Sequence, residues 1–187
     1  MKTNIPKITF TALMAALLCI LAPISIPLPE PMPAITLATF AVYISACIIG
    51  PWYSCAAILI YMLLGIVGLP VFSKAQSGLQ VVVGPTGGYM LGYFLIAVAT
   101  GLLVRRFEKN IYMHVIGMVL GTLLCYTVGT IWLGVSMHLS AGAALAAGVT
   151  PFLIGDAIKI AATAAICYPV RRQLIRLLPA FTSAGEK

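Results

Sequence analysis

The chain has 187 residues, of which 61% are hydrophobic and only 8% are charged, and its formal net charge is +7 at pH 7. A soluble domain carries about 25% charged residues, so this composition excludes a soluble globular protein and indicates an integral membrane protein. The positive charge does not indicate a nucleic-acid partner, because the basic residues stand at the ends of apolar segments. The five cysteines lie singly in apolar runs, which is typical of small buried residues and not of disulfides or metal ligands.

Apolar segments separated by loops follow one another along the whole chain. They predict an all-α integral membrane protein with six transmembrane helices in one bundle, as a single membrane domain over residues 1–187. The predicted spans are approximately 8–26, 34–49, 52–67, 84–104, 111–135 and 151–170.

The segments between the spans are also informative. Residues 27–33 contain four prolines, which exclude a helix and predict a stiff loop. A longer loop covers residues 68–83. Its apolar part, 79–83, is too short to cross a bilayer, so it is either re-entrant or a lid folded onto the protein. Residues 138–148 are small, and we expect a loop or a partial helix there.

Small residues recur every four positions in three of the predicted spans, which predicts faces where another helix can approach closely. The recurring residues are Ala12 and Ala16 in the first span, Gly84, Gly88 and Gly92 in the fourth, and Gly117 and Gly121 in the fifth. For Ala12 and Ala16 two interpretations remain open: packing inside the bundle, or contact with another protein.

The basic residues predict the orientation of the chain in the membrane. With six spans, both termini and the loop at 105–109 lie on one side. That side carries nine of the 11 lysines and arginines: Lys2, Lys7, Arg105, Arg106, Lys109, Arg171, Arg172, Arg176 and Lys187. The opposite side has only Lys74 in a loop. The positive-inside rule therefore predicts a multi-pass plasma-membrane protein with cytoplasmic N and C termini.

Two charged residues, Asp156 and Lys159, stand three positions apart at the start of the last span, so they share one face of a helix. With Thr150 as cap and Pro151 in the first turn, they lie roughly 7 and 12 Å inside the helix end. Ionisable groups within a membrane are costly and mark function. The alternatives are an ion pair that only neutralises itself, or a lysine that reaches for the interface. We favour a ligand site, because an inert helix would be more stable with neither charge.

The last span ends in the cytoplasm, so its start, with Asp156 and Lys159, is expected to face outside. Polar and aromatic residues from other segments are expected at this same end. Glycines at the start of the fourth span would let backbone N–H groups meet a ligand. The set suits a small, partly apolar ligand with a few polar atoms. For Ser73, Gln76 and Tyr43 we favour a loop or packing role over contact with the ligand. The predicted ligand-binding residues are Asp156, Lys159, Tyr89, Thr86, Gly84, Gly87, Phe72, Gln76, Phe152 and Tyr43.

Known catalytic and nucleotide-binding motifs do not occur in the sequence. It contains no GxxxxGK[ST], HExxH or GxSxG, so we expect no ATP hydrolysis, no other enzyme activity and no metal or cofactor. One glycine-rich loop does not make a channel filter by itself, and a secondary transporter usually shows two similar halves, which this sequence lacks. A self-contained carrier or channel for a small solute remains the alternative function.

Three segments resemble signature segments of the BioY family, the biotin-binding S components of energy-coupling factor (ECF) transporters. They are Gly-Leu-Pro-Val-Phe at 68–72, Gly-Pro-Thr-Gly-Gly-Tyr-Met-Leu-Gly-Tyr at 84–93 and Pro-Phe-Leu-Ile-Gly-Asp-Ala-Ile-Lys at 151–159. Residues 26–29 and 33–37 are similar as well, so the resemblance covers nearly the whole chain. It implies a six-helix bundle that binds biotin at its outward end, beneath lid loops at 27–33 and 68–83.

The resemblance also implies partners. They are a transmembrane coupling subunit and two cytoplasmic ATPase subunits, which drive release of the ligand inward. Ala12 and Ala16 match the pattern with which the family docks on the coupling subunit, so the resemblance favours partner contact for these two residues.

Overall fold

The computed structural model describes residues 5–29 and 31–177, so Lys2, Glu30 and Lys187 lie outside the described residues. The helices are α1 (Ile5–Leu21), α2 (Ala38–Ile49), α3 (Pro51–Ile66), α4 (Leu79–Val83), α5 (Gly87–Arg106), α6 (Ile111–Ser136), α7 (Ala141–Gly148) and α8 (Leu153–Leu177). Strands β1 (Ser25–Ile26) and β2 (Ile35–Thr36) form a short antiparallel pair. Single 3-10 turns occupy Ser73–Ala75 and Thr150–Phe152.

The apolar helices correspond to the predicted spans. By length and composition, α5, α6 and the stretch that ends with α8 can cross a membrane, and α1, α2 and α3 are shorter apolar helices. Helix α7, which is short and rich in alanine, fills the connection between α6 and α8.

The first two spans differ from the prediction at the end where they meet. Helix α1 ends at Leu21, before the predicted residue 26, and α2 begins at Ala38, after the predicted residue 34. In between, Ser25 pairs with Thr36 and Ile26 pairs with Ile35. The prolines of the connecting loop cannot donate helical hydrogen bonds, so the flanking backbone satisfies its polar groups by strand pairing.

Other boundaries shift by a few residues. Helix α5 begins at Gly87 and extends through Arg106, and α8 continues to Leu177, past the predicted end at residue 170. Arginine is a good helix former and is favourable at a helix C-terminus, so basic residues at a membrane surface do not end a helix. The apolar segment Leu79–Val83 is a short helix, and residues 141–148 of the predicted loop or partial helix are helical.

Helices α5 and α6 pack closely along the glycines that the sequence singled out, except Gly84. This residue lies before α5, and a Cβ added there would lie 2.7 Å from the carbonyl oxygen of Gln80, so its place in the predicted helix face is wrong. A Cβ atom added at Gly92 would lie 2.4 Å from Sγ of Cys125, and one added at Gly121 would lie 2.8 Å from Cα of Ile96. A Cβ at Gly88 would lie 2.3 Å from Cβ of Trp132. Any larger side chain would separate the two helices, which confirms the predicted close approach.

Arg171 marks the end of the bundle where the basic residues collect, which we call the basic end. Its Nη1 donates to the carbonyl oxygens of Cys47 at 2.8 Å and Ile48 at 3.2 Å, in the last turn of α2. Its Nη2 lies 3.4 Å from Oε1 of Glu108. A guanidinium at this place satisfies carbonyls that have no partner within their own helix. Asp156, 15 residues earlier on α8, is therefore roughly 22 Å away, at the opposite end of the bundle.

Candidate functional site

The carboxylate of Asp156 is the centre of a buried hydrogen-bond network between three helices. Its Oδ1 accepts a hydrogen bond from Lys159 Nζ at 2.8 Å and one from Thr39 Oγ1 at 3.3 Å. Its Oδ2 accepts from the hydroxyl of Tyr126 at 2.6 Å. Thr39 also accepts from Lys159 Nζ at 3.0 Å, so it connects both charged groups to α2. Helices α2, α6 and α8 meet at this network.

The burial of this pair excludes one of the alternatives for Lys159. Asp156 and Lys159 are only 4% and 8% exposed, and they form the ion pair that their spacing predicts. The ammonium group points to Asp156 and Thr39, so the interpretation of a lysine that reaches for the interface is wrong. A buried pair of this kind is tolerated because the opposite charge and the hydroxyl groups compensate for lost hydration.

Both charged side chains also line a cavity of about 80 Å³, which lies at this end of the bundle. We call it the cavity end. The lining is mainly aromatic and aliphatic, with few polar groups, which is the usual character of a site for a small organic molecule. Contributions come from α2, α3, α5, α6, α8, the two long loops and the turn before α8, and include Pro33, Ala34, Thr36, Thr39, Tyr61, Phe72, Ser73, Val81, Thr86, Tyr89, Met90, Tyr93, Thr122, Tyr126 and Phe152.

The segment between α3 and α5, which we call the lid segment (residues 67–86), contributes Phe72, Ser73, Val81 and Thr86 to the cavity lining. Phe72 is 1% exposed and packs edge-on against Tyr61, with ring centroids 5.5 Å apart. Its ring occupies the place beside Gly65, where an added Cβ would overlap it. The backbone N–H of Lys74 donates to Ser25 Oγ at 3.0 Å, so the lid segment also contacts β1.

Tyr89 closes another side of the cavity. Its hydroxyl donates to the carbonyl oxygen of Gly148 at 2.9 Å, which connects α5 to the end of α7. Its ring lies 6.4 Å from the ring of Phe152, measured between centroids, and packs over Gly129 of α6. A side chain at Gly129 would displace the ring of Tyr89, so the absence of a side chain at this position allows the ring to line the cavity.

Six of the ten predicted ligand-binding residues line the cavity together: Asp156, Lys159, Tyr89, Thr86, Phe72 and Phe152. Four do not line it. Tyr43 is buried and its hydroxyl pairs with that of Thr122. Gln76 is exposed on the lid segment.

The two glycines before and at the start of α5 have their own hydrogen-bond partners. The N–H of Gly87 donates to the carbonyl oxygen of Gly84, at 3.0 Å, because the chain turns tightly before α5. The carbonyl of Gly84 also accepts from Trp132 Nε1 at 2.9 Å. The expectation that Gly87 offers a free backbone donor is therefore wrong.

Two residues of the network, Tyr126 and Thr39, were not predicted. Tyr126 shares one face of α6 with Thr122 and Thr130, at spacings of four residues, so a polar stripe in an apolar span could have identified it. Thr39 lies in the first turn of α2 and shows no comparable pattern. Its role depends on the packing of α2 against α8.

Ala12 and Ala16 are both exposed on α1, whereas Met14, Ala15 and Leu18 of the same helix are buried. The two alanines therefore face away from the bundle, and their interpretation as an internal packing face is wrong. Contact with a partner stays a prediction. Within residues 5–29 and 31–177, no group of three or more histidine, cysteine, aspartate or glutamate side chains could hold a metal ion.

The apolar helical bundle and the cavity at one end are those of a membrane protein with room for a small organic molecule. The BioY family model matches residues 1–176. A biotin transporter BioY of Thermotoga maritima is 39% identical over 157 residues, which cover 84% of this chain and 90% of the relative. The biotin transporter BioY2 of Lactococcus lactis is 36% identical over 160 residues, 84% of this chain and 86% of the relative.

A solved structure is similar as well. The S-component for biotin from an ECF-type ABC transporter superposes with a TM-score of 0.84 at 25% sequence identity, over 92% of this chain and 95% of that one. The chain belongs to the BioY family. The predicted family and the predicted all-α membrane fold are both confirmed.

Proposed function

We propose that this chain is the biotin-binding S component of an ECF-type vitamin importer. The observation that carries the proposal is the cavity in which the buried Asp156–Lys159 pair and a mainly apolar wall come together, in a chain of the BioY family. The names of its relatives support biotin as the ligand.

The lining of the cavity fits the chemistry of biotin. The ureido ring of biotin carries two N–H donors and a carbonyl oxygen, its fused sulfur ring is apolar, and its side chain ends in a carboxylate. Asp156 would accept hydrogen bonds from ligand N–H groups. Lys159 would donate to a carbonyl or carboxylate oxygen of the ligand. The rings of Tyr89, Phe152 and Phe72 offer apolar surface for the remainder. No cofactor or metal takes part in this scheme.

Delivery of the ligand requires partners in this proposal. The chain contains no ATPase motif, so energy would come from two cytoplasmic ATPase subunits, coupled through a transmembrane subunit that docks on α1 at Ala12 and Ala16. The protein would lie in the plasma membrane with both termini in the cytoplasm. Exposed Arg106, Lys109 and Arg172 at the basic end support this orientation. The cavity end would then face outside and capture biotin there.

Calorimetric titration of the detergent-purified chain with biotin tests the binding proposal. We expect tight, one-to-one binding. Absence of heat with the folded wild-type chain would contradict biotin as the ligand.

Reconstitution of the same chain alone in liposomes separates the importer from a self-contained carrier. We expect no biotin uptake without the coupling module and its ATPases. Uptake by the chain alone would contradict the importer model and favour the carrier.

A further inference from the structure

A groove with a volume of about 660 Å³ lies on the outer side of α6, directly behind the cavity. Its walls come from α6, α7 and the connection to α8. Small residues on both helices leave the recess open, namely Gly134 on α6 and Ala141 and Ala144 on α7. Ile131 and Leu145, which also line the groove, are 63% and 56% exposed. An apolar recess is therefore open on a membrane-spanning helix.

The three hydroxyl groups along the groove all have protein partners. Thr127 Oγ1 donates to a backbone carbonyl one turn earlier on α6, at 2.9 Å. Thr130 Oγ1 lies 3.4 Å from the hydroxyl of Tyr89. The hydroxyl of Tyr126 donates to Asp156 at 2.6 Å. Among the described residues that line the groove, the side chains thus present hydrocarbon surface and no unengaged hydroxyl, which does not suit a polar ligand.

We propose that the groove binds one acyl chain of a membrane phospholipid. The groove continues the exposed aliphatic surface of α6, where Leu120, Leu124 and Ile131 are 46%, 48% and 63% exposed. In a membrane-spanning helix such a surface faces lipid, which supplies hydrocarbon chains at high local concentration. An acyl chain is narrow and unbranched, so it fits along a recess that alanine and glycine form. Within a membrane, packing contacts of this kind stabilise association.

Tyr126 connects the groove to the cavity, because it lines both of them. Tyr126 therefore lies at the boundary between the groove and the cavity. A chain in the groove would pack against the same ring whose hydroxyl holds Asp156. The lipid site rests on the groove alone and does not depend on which ligand the cavity takes.

Photolabelling tests the proposal on the full chain in liposomes. The probe is phosphatidylglycerol with a diazirine in the middle of one acyl chain, added at low mole fraction. After irradiation, mass spectrometry maps the labelled residues. We expect labelling of residues 123–145 to be several-fold higher than labelling of the exposed aliphatic face of α3, where Leu59 and Leu63 are each 52% exposed.

Two alanines of α7 give a matched pair of variants. Ala141 lines the groove, whereas Ala146 is exposed on the same helix outside it. We expect Ala141→Trp to fill the groove and lower its labelling several-fold, and Ala146→Trp to leave it unchanged. Leu145→Trp, at another exposed position in the groove, replaces Ala141→Trp if that variant does not elute as a folded monodisperse protein. Labelling in proportion to exposure alone, or equal labelling in groove and control variants, would overturn the proposal.

Discussion

The hydroxyl of Tyr126 donates a 2.6 Å hydrogen bond to Oδ2 of Asp156, so α6 holds the carboxylate of α8 from the side opposite Lys159. A carboxylate held from both sides has one fixed orientation toward the cavity, and this preorganisation lowers the free-energy cost of binding. The phenol thus positions the carboxylate, and the carboxylate lines the cavity.

Tyr126→Phe removes this hydrogen bond and retains the ring. A hydrogen bond to a charged group is worth about 1.5–3 kcal/mol, but a phenol that only positions the carboxylate loses part of it, so we expect biotin affinity to fall by about 10-fold. Calorimetric titration measures the change. Tyr112→Phe is the matched control on the same helix, where the side chain is 76% exposed. Equal affinities of the two variants and the wild type would remove Tyr126 from the site.

Asp156→Asn and Lys159→Met each break the buried ion pair, and each is expected to lower biotin affinity by about 10- to 150-fold, since a charge-assisted hydrogen bond is lost. Glu108→Gln is the control, because this carboxylate lies at the basic end and pairs with Arg171. We expect it to leave biotin affinity unchanged, with binding measured by the same titration.

The double variant Asp156→Asn/Lys159→Met separates a ligand site from a pair that only neutralises itself. Each single variant leaves one buried polar or charged group without its partner, whereas the double variant leaves no net charge. If the pair is only structural, the double variant should recover both thermal stability and biotin binding. We expect stability to recover at least in part and binding to stay lost. Recovery of binding would contradict the roles of both residues in the ligand site.

The sequence alone predicts those features that depend on the spacing of residues within a single helix. Asp156 and Lys159 stand out because charges are rare in an apolar span, and their spacing already places them on one face. The close contact of α5 and α6 follows from glycines at four-residue spacing, and Gly92 and Gly121 indeed lie against the partner helix.

Features that depend on packing between distant segments could not be predicted in this way. Two-residue strands such as β1 and β2 are too short to leave a periodic pattern, so the hairpin was missed. Tyr43 and Tyr126 both occupy apolar spans, yet only Tyr126 lines the cavity, whereas Tyr43 pairs with Thr122 beside it. The difference comes from how α2 and α6 are rotated in the bundle, which no local pattern reports.

Gly65→Val tests whether the lid segment retains the ligand. A side chain at this position would overlap the ring of Phe72, so the lid segment must move away from α3. We expect faster dissociation of biotin, because the cavity can no longer close fully, and stopped-flow measurement of the dissociation rate gives the effect. Gly142→Val is the control, since no atom lies within 4 Å of a Cβ added there. A dissociation rate equal to that of the wild type would mean that Phe72 does not gate the cavity.

Ala12→Trp and Ala16→Trp test the proposed docking face on α1. Both alanines are exposed and point away from the bundle, so a large side chain should leave the fold and biotin binding intact. It would prevent close approach of another helix, because such contacts in membranes require small residues. We therefore expect normal titration by biotin but loss of ATP-driven uptake in cells that also produce the coupling subunit and its ATPases. Leu59→Trp, on the exposed face of α3, is the control and should transport normally. Uptake at the wild-type rate by both alanine variants would place the partner on another face. Loss of binding together with uptake would show instead that these alanines support the fold.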